Sequence, residues 1–73
     1  MLNEVIDVIC EVVEIEPDEI KTDSTLRGEV GATSFDLMNI AVAIEEKYGV
    51  TVPNAMLPRI KTVGDILSLL ENA

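Results

Sequence analysis

Residues 33–49 read TSFDLMNIAVAIEEKYG, and this pattern predicts an amphipathic helix over residues 34–48. Thr33 or Ser34 supplies the N-cap, and Asp36 in the first turn complements the helix dipole. Gly49 suits the left-handed conformation that often follows a helix. One stripe of the helix is apolar and is the predicted core face: Leu37, Ile40, Ala41, Ile44 and Tyr48.

The same helix carries a second apolar stripe, formed by Phe35, Met38 and Val42 and centred more than about 100° from the core face. Glu45 and Glu46 border this stripe at its far end. One face of a helix usually suffices for the core of a small bundle, so a second stripe beside acidic residues indicates a surface for a protein partner. The alternative is a central helix that is buried on most sides.

The sequence before this helix predicts a first helix over residues 2–15, with Asn3 as its N-cap and Pro17 just beyond its end. Residues 16–33 then form a long connection that begins with one helical turn. Four spaced apolar residues are expected to pin this connection to the core: Ile15, Ile20, Leu26 and Val30.

The sequence after this helix predicts a short helical segment of one or two turns within residues 53–59. A last helix follows over residues 63–72, with Thr62 as its N-cap. The predicted fold is therefore all-α: a four-helix bundle of three main helices and one short helix, with a long first loop. The length of 73 residues allows one domain, 1–73.

The charge is strongly acidic, with 14 acidic against five basic residues and a net charge of −9. Nucleic acids and anionic membranes are therefore disfavoured as partners, whereas basic protein surfaces are favoured. No apolar run approaches the roughly 20 residues of a membrane span. The single Cys10 cannot form an intramolecular disulfide, which favours a cytoplasmic location. We expect a monomer.

The side-chain inventory does not support an autonomous enzyme or a metal site. The chain contains no His, so Ser34 has no imidazole base to activate it as a nucleophile. Acidic residues of the long connection, Asp18, Glu19 and Asp23, are interpreted as solvated. Ser34 itself has two interpretations. It is a helix cap, or it accepts a modification from another enzyme, since a helix N-terminus favours a phosphate.

Two further side chains have simple predicted roles. Cys10 lies at the edge of the apolar arc of the first helix, where a thiol behaves as a small hydrophobe. Tyr48 is expected to pack its ring at the base of the bundle with its hydroxyl outward.

Four segments carry a further signal: DSTL at residues 23–26, VGATSFDL at 30–37, AIEEKYGVTVP at 43–53 and IKTVGD at 60–65. Together they resemble the acyl carrier protein family. In that family the second helix begins with a Leu-Gly-Ala-Asp-Ser-Leu element and ends in a Leu-Glu-Glu-x-Phe-like stretch followed by Ile-Pro. An Ile-x-Thr-Val element leads into the last helix. The resemblance extends over essentially the whole chain.

The resemblance implies a non-catalytic carrier with an acyl-carrier-like bundle. A separate phosphopantetheinyl transferase would esterify Ser34 with the 4′-phosphopantetheine arm of coenzyme A. The thiol of the arm would carry acyl groups as thioesters between loading and transfer enzymes of fatty-acid, polyketide or related biosynthesis. The residues implied in docking to basic patches on these enzymes are Phe35, Asp36, Met38, Val42, Glu45 and Glu46.

The sequence also departs from the family pattern. Thr33 stands where an aspartate usually precedes the serine, Asn39 stands where an acid is common, and the segment 54–59 lacks its usual acids and contains Arg59. These departures indicate a specialised carrier. They also keep an alternative open: an unmodified docking module of the same fold, in which Ser34 is only a cap. A carried acyl chain is expected to slip between helices lined by Ile40, Ala41, Ile44 and Leu57.

Overall fold

The computed structural model describes residues 1–72 and contains three α-helices, which we label α1 (Leu2–Val12), α2 (Ser34–Tyr48) and α3 (Val63–Glu71). Two 3-10 helices, Pro17–Glu19 and Asn54–Arg59, lie in the connections before and after α2. Within residues 1–72 there is no β-strand, and Thr25 forms one isolated antiparallel bridge with Thr62. The predicted all-α class is confirmed.

Helix α2 has the predicted bounds because both of its ends are set by local chemistry. Thr33 is the N-cap: its hydroxyl oxygen accepts a hydrogen bond from the Asp36 N–H at 3.1 Å, and its own N–H donates to the Asp36 carboxylate at 3.0 Å. Gly49 ends the helix with a φ of 67°, in the left-handed region that favours glycine. Leu37, Ile40 and Ile44 are buried on the predicted core face.

Helix α1 is shorter than predicted, since it ends at Val12 rather than residue 15. Val13 is extended, with φ −117° and ψ 137°. Val13 and Ile15 are β-branched residues with a preference for extended backbone, and both pack against the core from the segment that follows the helix. The prediction of Asn3 as the N-cap was also wrong, because the helix already begins at Leu2 and the N-cap is Met1.

Helix α3 begins as predicted and ends at Glu71, with Asn72 as its C-cap. Thr62 is the N-cap, and its hydroxyl accepts from the Asp65 N–H at 3.2 Å. One carboxylate oxygen of Asp65 accepts from the backbone N–H groups of Lys61 at 2.8 Å and Thr62 at 3.0 Å. These backbone hydrogen bonds hold the pKa of Asp65 below its ordinary value.

The long connection between α1 and α2 is ordered by its own core contacts and by α3. Ile20, Leu26 and Val30 are buried and Ile15 is half-buried, as the spacing predicted. Leu26 N–H donates to the Lys61 carbonyl at 2.8 Å, and Ser24 carbonyl accepts from the Val63 N–H at 3.1 Å. The connection therefore lies against the N-terminus of α3 as a fixed element.

The core is made by α1 packing against α2 and α3, closed by the long connection. Its largest fully buried side chains are Val5, Ile9, Leu26, Ile44 and Val63. The prediction for Tyr48 was wrong: its ring packs against the core, but its hydroxyl is buried and has no hydrogen-bond partner within residues 1–72. Burial, with a smaller effect of the nearby Glu4 charge, raises the pKa of this hydroxyl.

Candidate functional site

Ser34 is the first residue of α2, and its side chain is exposed. The backbone before it is held in place by Ala32, which is buried and whose N–H donates to the Leu26 carbonyl at 2.8 Å. Gly31 turns the chain into this position with a φ of 81°, which a residue with a Cβ rarely adopts. The hydroxyl of Ser34 is therefore presented outward from a rigid turn.

The capping function belongs to Thr33 and not to Ser34. The Thr33 hydroxyl and the Asp36 carboxylate form a reciprocal pair of hydrogen bonds with the backbone. The sequence allowed either Thr33 or Ser34 as the N-cap, and in the structure the N-cap is Thr33. The Ser34 hydroxyl is consequently not needed to begin the helix.

Arg27, a residue for which the sequence predicts no role, lies beside Ser34. One of its terminal guanidinium nitrogens (Nη2) donates a hydrogen bond to the Ser34 Oγ across seven residues of chain. Both side chains line a surface groove of about 280 Å³ together with Leu37, Met38, Asn54, Leu57 and Pro58. No periodicity or motif connects positions 27 and 34, because they meet across an irregular turn.

The second stripe of α2 is exposed to solvent, so the alternative of a helix buried on most sides is wrong. Phe35 is 70% exposed, Met38 48% and Val42 50%. Large apolar side chains at this level of exposure on one helix face form a contiguous surface that begins next to Ser34.

The three acidic residues predicted at this surface differ in their availability. The Glu45 carboxylate accepts a hydrogen bond from the Val52 N–H at 2.7 Å, and it thereby ties the segment after Gly49 to α2. The Asp36 carboxylate belongs to the N-terminal capping box. Glu46 is exposed, and its carboxylate accepts no hydrogen bond from any group of residues 1–72. Of these three acids, Glu46 is therefore the one whose carboxylate is fully available to a partner.

A small apolar cavity lies beneath the groove, between α2, α3 and the segment Asn54–Arg59. Its volume is about 20 Å³, which is room for about one water molecule. The lining includes all four residues named from the sequence: Ile40, Ala41, Ile44 and Leu57. The remaining lining residues are Leu37, Val52, Ile60, Ile66 and Leu69. Leu37 and Leu57 also line the Ser34 groove, so these two side chains separate the groove from the cavity.

The described residues hold few other reactive groups. Cys10 is half-buried at the edge of the core, and burial raises its pKa, with smaller contributions from Asp7 and Glu16. Among residues 1–72, no three His, Cys, Asp or Glu side chains are grouped so that they could hold a metal ion. No helix in this part of the chain is long and apolar enough to cross a membrane.

Comparison with known proteins identifies the family. The family described as phosphopantetheine attachment site matches residues 3–70. The chain belongs to this family of carrier proteins. Its prosthetic group is a covalently attached 4′-phosphopantetheine. An exposed serine hydroxyl that lines an open groove beside a guanidinium fits the phosphodiester link of such a group.

Curated relatives agree with this family over nearly the full length of the chain. An acyl carrier protein from Sulfurovum sp. (strain NBC37-1) is 35% identical over 72 residues, which cover 99% of this chain and 96% of the relative. An acyl carrier protein from Campylobacter hominis is 32% identical, and the alignment covers 99% of this chain and 91% of the relative. A third acyl carrier protein, from Wolinella succinogenes, is 30% identical, and the alignment covers 97% of this chain and 93% of the relative.

Proposed function

We propose that this acyl carrier is a single domain over residues 1–73 and that Ser34 is the residue to which its 4′-phosphopantetheine is attached. The observation that carries the proposal is the exposed Ser34 hydroxyl at the start of α2, left free of capping by Thr33 and in contact with the Arg27 guanidinium. The attached arm supplies a thiol that holds acyl groups as thioesters. The protein side chains present this arm and do not catalyse its chemistry.

The proposed partners are a phosphopantetheinyl transferase and acyl-loading and acyl-transfer enzymes with basic docking patches. The exposed stripe of Phe35, Met38 and Val42 supplies apolar contact area next to Ser34. Glu46 supplies a charge that attracts basic patches, and such a rim charge acts mainly on the association rate. Asp36 and Glu45 contribute charge to the same surface while also holding backbone N–H groups.

The proposed cargo site is the apolar cavity between α2 and the segment Asn54–Arg59. Its lining is entirely apolar, and Ala41 contributes only a methyl group to it. A short acyl chain would enter past Leu37 and Leu57, which separate the cavity from the groove at Ser34. Fatty-acid and polyketide intermediates are the cargo class with the apolar surface that such a cavity accommodates.

We further propose a cytoplasmic location and a monomeric state for the protein. A lone Cys10 without a disulfide partner suits the reducing cytoplasm. We expect a monomer there, and light scattering during size-exclusion chromatography checks this expectation.

Intact mass measurement tests the attachment residue. The purified protein is incubated with coenzyme A, Mg²⁺ and a broad-specificity phosphopantetheinyl transferase, beside Ser34→Ala and Ser68→Ala, the latter a control at another exposed helical serine. We expect the wild type and Ser68→Ala to gain one phosphopantetheine unit and Ser34→Ala to gain none. A gain in Ser34→Ala would show that another residue is modified.

Thr33 supports a second candidate, an unmodified docking module of the same fold, because an aspartate usually precedes the serine in the family. If the folded wild type gains no mass while a control carrier is modified, this candidate is favoured. Thr33→Asp then becomes decisive, since aspartate caps a helix as well as threonine does and leaves the fold intact. Modification of Thr33→Asp in that case would show that Thr33 is the departure that prevents modification of the wild type.

A further inference from the structure

Arg27 is held in a defined position by the turn that contains it. The preceding Leu26 is fully buried and is bonded through its N–H to the Lys61 carbonyl. Two bonds close the turn on the other side, since the N–H groups of Glu29 and Val30 both donate to the Thr25 carbonyl, at 3.0 and 2.9 Å. The exposed guanidinium thus reaches the Ser34 hydroxyl from a fixed backbone.

The guanidinium faces a neutral hydroxyl in a protein that has a large surplus of carboxylates. Within residues 1–72, the one ion pair joins the N-terminal amine to Glu4, and Arg27 contacts no carboxylate. The nearest acid along the chain, Glu29, is instead bonded to the backbone N–H of Thr25 at 3.2 Å. Arg27 therefore has no carboxylate partner at the hydroxyl that we propose is modified.

A phosphodiester on Ser34 supplies the anion that is missing from this contact. Its charged non-bridging oxygens are stronger acceptors than the hydroxyl, and the planar guanidinium fork matches phosphate oxygens with two parallel N–H groups. A guanidinium has five N–H donors, and one terminal nitrogen of Arg27 already lies at the atom to which the phosphorus would be bonded.

We propose that Arg27 is a positioning residue that binds the phosphodiester of the phosphopantetheine arm on Ser34 and orients the start of the arm along the groove. The inference rests on the proposed attachment at Ser34. Arg27 forms one wall of the groove, and Met38, Asn54 and Pro58 line it beside the serine. An arm held at its phosphodiester samples this groove and the adjoining Leu37–Leu57 entrance more often than an arm that rotates freely in solvent.

Phosphorus NMR of the holo protein tests the contact directly. The four samples are the wild type, Arg27→Gln, Arg27→Lys and the control Lys47→Gln. The control removes an exposed cation from the last turn of α2, about 20 Å from Ser34 at 1.5 Å per residue. Intact mass first establishes that each sample carries one phosphopantetheine on Ser34.

We expect the phosphodiester resonance to move in Arg27→Gln and to stay in place in Lys47→Gln. Added salt should shift the wild-type resonance toward the Arg27→Gln position, because the contact is exposed and is screened by ions. The resonance of Arg27→Lys should lie between those of the wild type and Arg27→Gln, since lysine keeps the charge but lacks the planar guanidinium fork.

Thermal unfolding gives a second readout that does not depend on a partner enzyme. For each variant, the melting temperature of the holo form is compared with that of its own apo form. The apo-to-holo difference should be lower by about 2–4 °C in Arg27→Gln than in the wild type and unchanged in Lys47→Gln.

Two results would overturn the inference, and they are distinguishable. If Ser34 gains no phosphopantetheine in any sample, the proposed function fails and the role of Arg27 fails with it. If Arg27→Gln is modified at Ser34 and has the wild-type phosphorus resonance and the wild-type apo-to-holo difference, the attachment site stands and Arg27 does not bind the arm.

Discussion

Attachment of a hexanoyl group to the arm is expected to raise the melting temperature, because the chain enters the cavity beneath the groove. The unacylated cavity has about 20 Å³ of space, so a chain of about five alkyl carbons must displace neighbouring side chains to enter. Burial of these carbons contributes at most about 4 kcal/mol, at about 0.8 kcal/mol for each.

The opposing cost comes from the side of the cavity that can open. Leu57 and Ile60 are half-buried lining residues in or next to the 3-10 segment, whereas Ile40 and Ile44 are buried within α2. Outward displacement of Leu57 and Ile60 returns about one side chain's worth of apolar surface to water, a cost of about 1.5–3 kcal/mol. The difference leaves a net stabilisation of up to about 1–2.5 kcal/mol, and each 1 kcal/mol corresponds to a rise in melting temperature of about 4–8 °C.

Differential scanning calorimetry of hexanoyl and unacylated holo forms measures this difference. Ala41→Leu should abolish the rise, because the larger side chain fills the cavity that the hexanoyl chain would occupy. Ala55→Leu is the matched control at an exposed alanine and should keep the rise. Each variant is compared with its own unacylated form, so any change in intrinsic stability cancels. An equal or lower melting temperature for the hexanoyl wild type would refute the reasoning and would leave the cargo outside the bundle.

Three further predictions concern single residues. Asp65→Asn should destabilise the protein by about 1 kcal/mol above pH 5, and its stability difference from the wild type in urea titrations should shrink as the pH falls below 3.8 and through the lower folded-state pKa of Asp65. A difference that is independent of pH would contradict the role of the charged carboxylate. Glu46→Lys should slow association with a basic partner enzyme several-fold at low salt in stopped-flow measurements, whereas Glu71→Lys on α3 should not; equal rates for both would place docking elsewhere. Leu26→Ala should cost about 2–5 kcal/mol in chemical denaturation, because its fully buried side chain anchors the long connection, and a cost below about 1 kcal/mol would show that the connection is not part of the core.

Helix α2 was predictable from the sequence because its determinants are close neighbours along the chain. The Thr33–Asp36 capping pair spans three residues, and Gly49 follows the last helical residue directly. The separation of a core face from an exposed stripe also follows from helical period alone, and the burial of Ile40 and the exposure of Phe35 agree with it.

The bounds of α1 were less predictable because two local tendencies compete there. The apolar period continues to Val13, which favours a helix, but Val13 and Ile15 reach the core from extended backbone. The burial of the Tyr48 hydroxyl is a similar case, since the amphipathic ring favours an outward hydroxyl until the packing around it is known.

The groove at Ser34 was predictable only in part. The sequence motif led to Ser34 and to the exposed stripe, whereas the contact with Arg27 depends on how an irregular turn is folded over Leu26. The hydrogen bond from the Val52 N–H to the Glu45 carboxylate was likewise not predictable from the sequence, because it requires the chain to reverse after Gly49.

The amino-acid sequence was therefore sufficient for the helices with local caps, the two faces of α2, the acidic charge and the position of the candidate serine. These features depend on residues within about one helical turn of each other or on composition. Only the tertiary structure decided the partners of Arg27 and Glu45, the burial of the Tyr48 hydroxyl and the volume of the cavity beside Ala41. Each of them requires segments distant in the sequence, or joined by an irregular turn, to be packed together, and the packing of the whole core sets their geometry.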